Sequence, residues 1–269
     1  MQLGEIISDA LKYPFNDYGK WLVLGVLFIV CSLGSILAQF KVYNNILSLI
    51  LIVVSVIVSI IVLGYALSVL RNGIDLSDEI PDFDWTNNFV DGIKYVVVTF
   101  VYFLIPTIIV SIISFITGYG PLSKILTQQN MQKFAALNGT VTANDIFNIV
   151  PKEVWASLFT SIAITAIIAL ILFIIFAIFD YVALCRLAKY DSLGEAFAFK
   201  EVFSDIKEIG FLKILAYLII ALVISSIVGI ILAFVSAVPF IGIIVAALFG
   251  NSFLILFNNR ALGLLYSDV

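Results

Sequence analysis

The chain of 269 residues is 62% hydrophobic and 12% charged, with a net charge of -4 and a mean hydropathy of +1.17. A soluble domain is typically about half apolar and a quarter charged, so this composition excludes a soluble enzyme or binding domain and indicates an integral membrane protein. The sequence contains no histidine, which excludes His-based catalytic triads, H-E-x-x-H metal sites and histidine proton relays.

Six apolar runs follow one another along the chain, each close to the length of about twenty residues that a helix needs to cross a bilayer. They do not alternate between apolar and polar residues, as barrel strands do. We therefore predict an all-α fold, a six-span transmembrane helical bundle within a single integral membrane domain over 1–269. The predicted spans are 21–39, 46–67, 95–117, 155–184, 211–238 and 241–257.

A short charged pattern precedes the first span of each pair, and an arginine ends the second span. The string D-x-x-K-Y occurs twice, and a looser version without the tyrosine precedes the fifth span. The intervals from an arginine to the next aspartate are 20 residues (91 minus 71) and 19 residues (205 minus 186). This spacing predicts three two-span repeats over about 5–71, 87–186 and 200–260, each preceded by a cytoplasmic amphipathic helix. The residues concerned are Asp9, Lys12, Arg71, Asp91, Lys94, Arg186, Asp205 and Arg260.

The charged cluster itself marks a membrane boundary. An aspartate and a lysine three residues apart share a helix face and pair weakly, by a few tenths of a kcal/mol, while the tyrosine that follows suits the headgroup level. Two interpretations stay open: an interfacial anchor with no other role, or three elements that line a shared cytoplasmic pocket.

Lysine and arginine are distributed unequally between the two sides of the predicted bundle. With the N-terminus inside, one side carries ten of the 14, and the other carries Lys41, Lys124, Lys133 and Lys152. The positive-inside rule then places both termini in the cytoplasm and the chain in the cell membrane. The sequence contains no polybasic patch of the kind that binds nucleic acid.

Three strings in the first 40% of the chain resemble a known family: ALKYPFNDYGKWLVLG, LGYALSVLRNGID and IPDFDWTNNFVDGIKYVVVTFVYFLIP. The chain resembles uncharacterised multi-pass membrane proteins found mainly in methanogenic archaea, a domain of unknown function. The resemblance implies a six-span archaeal membrane protein and brings no catalytic residues.

Two polar segments separate the spans. The linker 75–85 concentrates carboxylates, and its Asp82-Phe83-Asp84 triplet is either a cation site or, as we expect, part of a solvated loop. The extracytoplasmic loop, about 118–154, begins in TGYGP at 117–121, which predicts a turn, and contains a glycosylation sequon at Asn138.

Charged residues are almost absent from the spans. Asp180 is the exception, and an intramembrane carboxylate is a functional hypothesis by default. If the second unit contributes a binding cavity, Asp180 should face the bundle interior beside Arg186 or an arginine of a neighbouring unit, since an unpaired carboxylate there is costly. The alternative is that Asp180, near the cytoplasmic end of the span, simply reaches water. The small-residue pairs Gly34/Ala38, Ser55/Ser59 and Ser225/Gly229 predict helix-packing seams.

Taken together, these features favour a non-catalytic membrane organiser or partner-binding protein, with a permease for an apolar or lipid-like substrate as the alternative. Neither an enzyme activity nor a cofactor or metal is expected. The expected partners are the lipid bilayer and either other membrane proteins or further copies of the chain.

Overall fold

The computed structural model of the protein describes residues 1–42, 44–137, 142–239 and 241–269. These residues form helices joined by short connections, and no β-strand occurs among them. A 3₁₀ turn, Tyr13–Asn16, lies between the first two helices, and π-helical Ala246–Asn251 lies between the last two. The α-helices are α1 (Leu3–Lys12), α2 (Tyr18–Gln39), α3 (Asn45–Ile74), α4 (Trp85–Ile125), α5 (Gln128–Ala135), α6 (Ala143–Ile149), α7 (Lys152–Tyr190), α8 (Leu193–Ala196), α9 (Phe199–Ile209), α10 (Phe211–Ser236), α11 (Ile241–Val245) and α12 (Ser252–Tyr266).

Six helical segments are long and apolar enough to cross a membrane: α2, α3, α4, α7, α10 and the continuous stretch Ile241–Tyr266. This finding confirms the all-α class and the number of predicted spans. Side chains fix the starts of two of them, because Asp17 accepts a hydrogen bond from the Lys20 amide and Asn44 accepts one from the Leu47 amide.

The three charged elements differ in how they join the spans that follow. Pro14 lies in the 3₁₀ turn that separates α1 from α2, and Gly210, with φ of 95°, separates α9 from α10. Asp91 and Lys94 instead lie inside α4, which continues from Trp85 into the third span. No residue there forces a break, so the predicted amphipathic element and the span are one helix.

The chain divides into two compact units: Met1–Phe100 with Ile178–Val269, and Val101–Ala177. We call them the large unit and the small unit. The large unit contains α1, α2, α3, the start of α4, the end of α7 and all of α8 to α12. Part of its core is a cluster around Tyr13, Trp21, Leu24, Tyr65 and Val69.

Close helix contacts in the large unit depend on glycines that the sequence analysis did not single out. A Cβ on Gly64 would lie 1.7 Å from Asn88 O, and one on Gly92 would lie 1.8 Å from Ile60 O. Any larger residue would therefore push α3 away from α4. The predicted seam at Gly34 is wrong, because a Cβ there would meet no atom within 4 Å.

In the small unit, the predicted turn at 117–121 is wrong. Helix α4 continues through Pro121 to Ile125. A proline has no N–H to donate to the carbonyl four residues earlier, here Thr117 O, and the Ser161 hydroxyl donates to that oxygen at 3.0 Å. The Ser161 hydroxyl, which also lies 2.9 Å from Ser157 O, is thus a donor near the carbonyl that Pro121 leaves without its helical partner.

Candidate functional site: an arginine–aspartate cycle

The first of three charged contacts in the large unit is centred on Arg71, in the last turn of α3. Its Nη1 lies 2.6 Å from Asp91 Oδ2, its Nη2 lies 3.2 Å from Asp191 Oδ1, and its Nε donates to Ala188 O. Lys94 Nζ contacts the same two carboxylates, at 3.1 and 2.7 Å. Two cations and two anions thus join α3, α4 and the end of α7 in a neutral cluster.

The second contact is centred on Arg186, near the end of α7. Its Nη1 lies 2.8 Å from Asp205 Oδ2 in α9, and its Nη2 pairs with the Glu195 carboxylate. Its Nε donates to Glu195 O at 3.1 Å. The Tyr266 hydroxyl donates to Asp205 Oδ2 at 2.6 Å, which connects α12 to the same contact.

The third contact is centred on Arg260 of α12, whose side chain is only 2% exposed. Its Nε lies 2.8 Å from Asp9 Oδ1 in α1, and its Nη2 lies 2.7 Å from Asp78 Oδ1. Its Nη1 donates to Ser77 O, and the guanidinium carbon lies 4.8 Å from the centre of the Tyr13 ring. Burial raises the pKa of the Tyr13 phenol, and the Arg260 charge opposes that rise.

The three contacts form a closed series, which we call the arginine–aspartate cycle: Arg71 with Asp91, Arg186 with Asp205, and Arg260 with Asp9. The first two arginines bind the aspartate that follows about one linker later, and the last returns to the start of the chain. Each guanidinium also contacts a second carboxylate, so its N–H groups bind acceptors on more than one side of the arginine.

Sequence reasoning found the six residues of the cycle but assigned different partners to them. Of the two D-x-x-K-Y strings, the second forms the expected pair between the aspartate and the lysine three residues on, Asp91 with Lys94. Asp9 pairs with Arg260, and Lys12 is exposed, without an ion pair among the described residues. The additional carboxylates Asp78, Asp191 and Glu195 were missed. Their position could have identified them, since all three lie in the linkers that follow the arginines at the ends of the second spans.

The linker 75–84 has mostly exposed side chains, as expected of a solvated loop, but its backbone is held in place. Side chains of the helices donate to five consecutive carbonyls, from Ser77 to Pro81; the donors are Arg260, Asn16, Tyr13, Asn72, Lys20 and Tyr65. Phe83 stacks on the Tyr65 ring with centroids 3.9 Å apart. The linker therefore belongs to the large unit's packed structure.

Both carboxylates of the Asp82-Phe83-Asp84 triplet have protein partners. Asp82 Oδ1 lies 2.9 Å from Lys20 Nζ. Asp84 accepts a hydrogen bond from the Asn87 amide at 3.1 Å and so caps the start of α4. No group of three or more metal-ligating side chains occurs in the described part of the chain.

Asp180 is buried, with 4% of the residue exposed. The expected arginine partner is wrong: Arg186 is bound to Asp205 and Glu195, and no ion pair within the described ranges involves Asp180. Its Oδ1 is buried without a hydrogen bond, and so is the hydroxyl of the neighbouring Thr99 on α4. An arginine six residues further along a helix lies about 9 Å away along the axis, which explains why the two groups do not meet.

A groove of about 600 Å³ lies between α2 and α3 in the large unit. Its lining is mostly aliphatic, with polar atoms supplied by Cys31, Ser35, Ser48, Ser55 and Ser59. The Ser55 hydroxyl donates to Cys31 O at 3.2 Å, so the predicted seam at Ser55 does connect the two helices. The predicted glycosylation residue Asn138 lies outside the described residues.

Comparison with known proteins gives one family match. The family described as "Protein of unknown function (DUF4013)" matches residues 47–237. No curated protein and no solved structure matches the chain.

Proposed function

The chain belongs to the DUF4013 family of proteins of unknown function, and we propose that it is a non-catalytic membrane organiser that binds partners in the cell membrane. It would consist of three two-span repeats with both termini in the cytoplasm. The observation that supports this proposal is the arginine–aspartate cycle.

The cycle supports the repeat because each arginine occupies a comparable place. Arg71 is three residues from the end of α3, Arg186 four from the end of α7, and Arg260 six from the end of α12. In repeat terms, the arginine that ends each unit binds the aspartate that begins the next, and the third unit binds the first. Three unrelated helix pairs would not be expected to share this order of contacts.

The cycle also favours an organising role over a catalytic or transporting one. Its cations are bound by internal carboxylates at 2.6 to 2.8 Å, so they are already neutralised and do not offer a free charge to a substrate. Paired charges at one end of a bundle fix the relative positions of the helices they join. The polar surface beyond them is then held in a constant shape, which suits the binding of another membrane protein or a second copy.

The exposed face of α9 is a suitable place for such a partner. Val202, Asp205 and Ile206 are buried within the large unit, while Lys200 and Lys207 are exposed. The positive-inside count places both lysines on the cytoplasmic side and Lys124 on the other.

Native mass spectrometry of the protein, extracted from its own membranes into lipid nanodiscs, tests the proposal. We expect a defined complex heavier than one 29.6 kDa chain. Lys200→Glu with Lys207→Glu should dissociate the complex, whereas the matched control Lys124→Glu should not. A single chain in every preparation would contradict the organising role.

A permease for an apolar or lipid-like substrate is the second candidate, and the groove between α2 and α3 favours it. Hydroxyl groups along an aliphatic wall could hold a lipid headgroup and its chains. Purified protein in vesicles should then accelerate the exchange of a fluorescent phospholipid analogue between leaflets. Ser55→Leu would fill the groove and stop the exchange, while Ser123→Leu, outside it, would not. No acceleration over protein-free vesicles would exclude this activity for phospholipids.

A further inference from the structure

Asp180 and Thr99 place two buried oxygen atoms without hydrogen bonds beside each other in the large unit. Asp180 Oδ1 and Thr99 Oγ1 each have almost no contact with solvent and form no hydrogen bond of normal geometry among the described residues, although the two side chains lie close enough to interact with each other. Buried polar atoms are nearly always satisfied in folded proteins. Because the Thr99 hydroxyl can donate to a carboxylate or accept from a protonated carboxyl, the protonation of Asp180 depends on the charges around it.

Among the described residues, no lysine or arginine forms an ion pair with Asp180 or acts on its charge. The titratable groups on which Asp180 acts electrostatically are Tyr95 from α4 and Tyr181 and Cys185 from its own helix, all of which are neutral in their protonated forms. Tyr217 from α10 lies in the same neighbourhood, beside Tyr95 and Tyr181. An ionised carboxylate in this place would be buried without a counter-charge, which is strongly unfavourable in a membrane protein.

A metal cation would remove the charge problem but not the coordination problem. Hard cations such as Ca²⁺ and Mg²⁺ take about six or more oxygen ligands. Among the described residues, Asp180 Oδ1 and Thr99 Oγ1 are the buried side-chain oxygens without a hydrogen bond, and carbonyls inside a helix already accept hydrogen bonds. A proton needs one acceptor and satisfies both atoms, since the protonated carboxyl can donate to Thr99 Oγ1.

Asp180 is also not needed for the proposed repeat. Counting six residues back from each arginine gives Tyr65 before Arg71 and Leu254 before Arg260, where the second unit has Asp180. The two other units thus form their arginine–aspartate contacts with a neutral residue at this position. The carboxyl is an addition in one unit, which points to a role other than holding the helices together.

We propose that Asp180 is a proton-binding site, in which a protonated carboxyl donates to the Thr99 hydroxyl and exchanges its proton with the cytoplasmic side near Arg186. The site is independent of the organising role, because it involves none of the residues of the cycle. Its ligand is the proton itself, and a change in its occupancy would place or remove one uncompensated charge between α4 and α7.

Infrared difference spectroscopy of the full-length protein in lipid vesicles tests the proposal. At neutral pH we expect the carbonyl band of a protonated carboxylic acid, which shifts in heavy water and when the protein is made with ¹³C-aspartate, but not with ¹³C-glutamate. This labelling experiment uses the unaltered chain, so it does not depend on the folding of a variant. The absence of an aspartic acid band at neutral pH would overturn the proposal.

Two variants assign the band. Asp180→Asn should remove it, while Asp205→Asn, which alters a carboxylate already paired with Arg186, should leave it in place. Thr99→Val should keep the band and shift its frequency, because the carboxyl loses its hydrogen-bond acceptor. A band that is lost in Asp205→Asn but kept in Asp180→Asn would overturn the assignment. So would a band that appears only after sodium is removed, since that would show a cation in the site.

Discussion

Breaking the contact between Asp9 and Arg260 should destabilise the protein by separating the two ends of the chain. Asp9→Asn removes the charge 2.8 Å from Arg260 Nε but leaves Asp78 and Ser77 O as partners of the guanidinium. We expect a loss of about 1 to 2 kcal/mol, as for a hydrogen bond to a charged group.

The reciprocal change Arg260→Gln should cost more. It removes a buried cation that contacts two carboxylates, and breaking a buried ion pair costs about 3 to 5 kcal/mol. The Asp9 and Asp78 side chains are 35% and 80% exposed, so both regain water, and the expected loss lies near the lower end, at about 3 kcal/mol. The double variant should lose about 1 to 2 kcal/mol less than the sum of the single variants.

Reversible unfolding in mixed detergent micelles, followed by tryptophan fluorescence, would measure these free energies. Asp268→Asn is the matched control, because it removes the exposed ion pair between Asp268 and the N-terminal amine, which also joins the two ends. We expect a change within about 0.5 kcal/mol for this control. If Asp9→Asn costs no more than Asp268→Asn, the contact between Asp9 and Arg260 does not stabilise the fold.

Three further predictions concern packing, pH and topology. Gly64→Ala should destabilise the protein by about 3 kcal/mol or prevent folding, because its Cβ would overlap Asn88 O. The control Gly34→Ala should change thermal stability little. Equal effects of the two variants would refute a close contact between Gly64 and Asn88. Tyr13 stabilises the fold as a neutral phenol that donates to Glu79 O. Because its pKa is raised on folding, this contribution is present below the ordinary value of about 10 and is lost at higher pH; alkaline unfolding of Tyr13→Phe should be less pH-dependent than that of the parent. Finally, Lys133→Cys in a chain otherwise free of cysteine should react with an impermeant maleimide from outside the cell, while tags at both termini should be accessible only from the cytoplasm; opposite labelling would reverse the proposed topology.

Asp9 and Arg260 illustrate the limit of what residue order can predict. Their presence at the boundary of the spans could be recognised, because a charged residue beside twenty apolar ones has a position fixed by the bilayer. Their pairing could not, since they are 251 residues apart and the local rule for helices favours Lys12 as the partner of Asp9. Asp9 pairs with Arg260, whose guanidinium is buried by α12 and the linker, because the exposed Lys12 would gain little from an ion pair in water.

The sequence by itself determined that the protein is all-α and has six helices able to span a membrane, because the length and composition of each apolar run are sufficient for that conclusion. It also located the arginines and aspartates of the cycle. Only the tertiary structure decided which carboxylate each arginine binds, that the linker 75–84 is fixed by donors from several helices, and that Asp180 has no cationic partner in the part of the chain that the structure describes. The physical reason is that these features depend on distances between helices, which are set by close contacts such as Gly64 against Asn88 O rather than by the periodicity of any one segment.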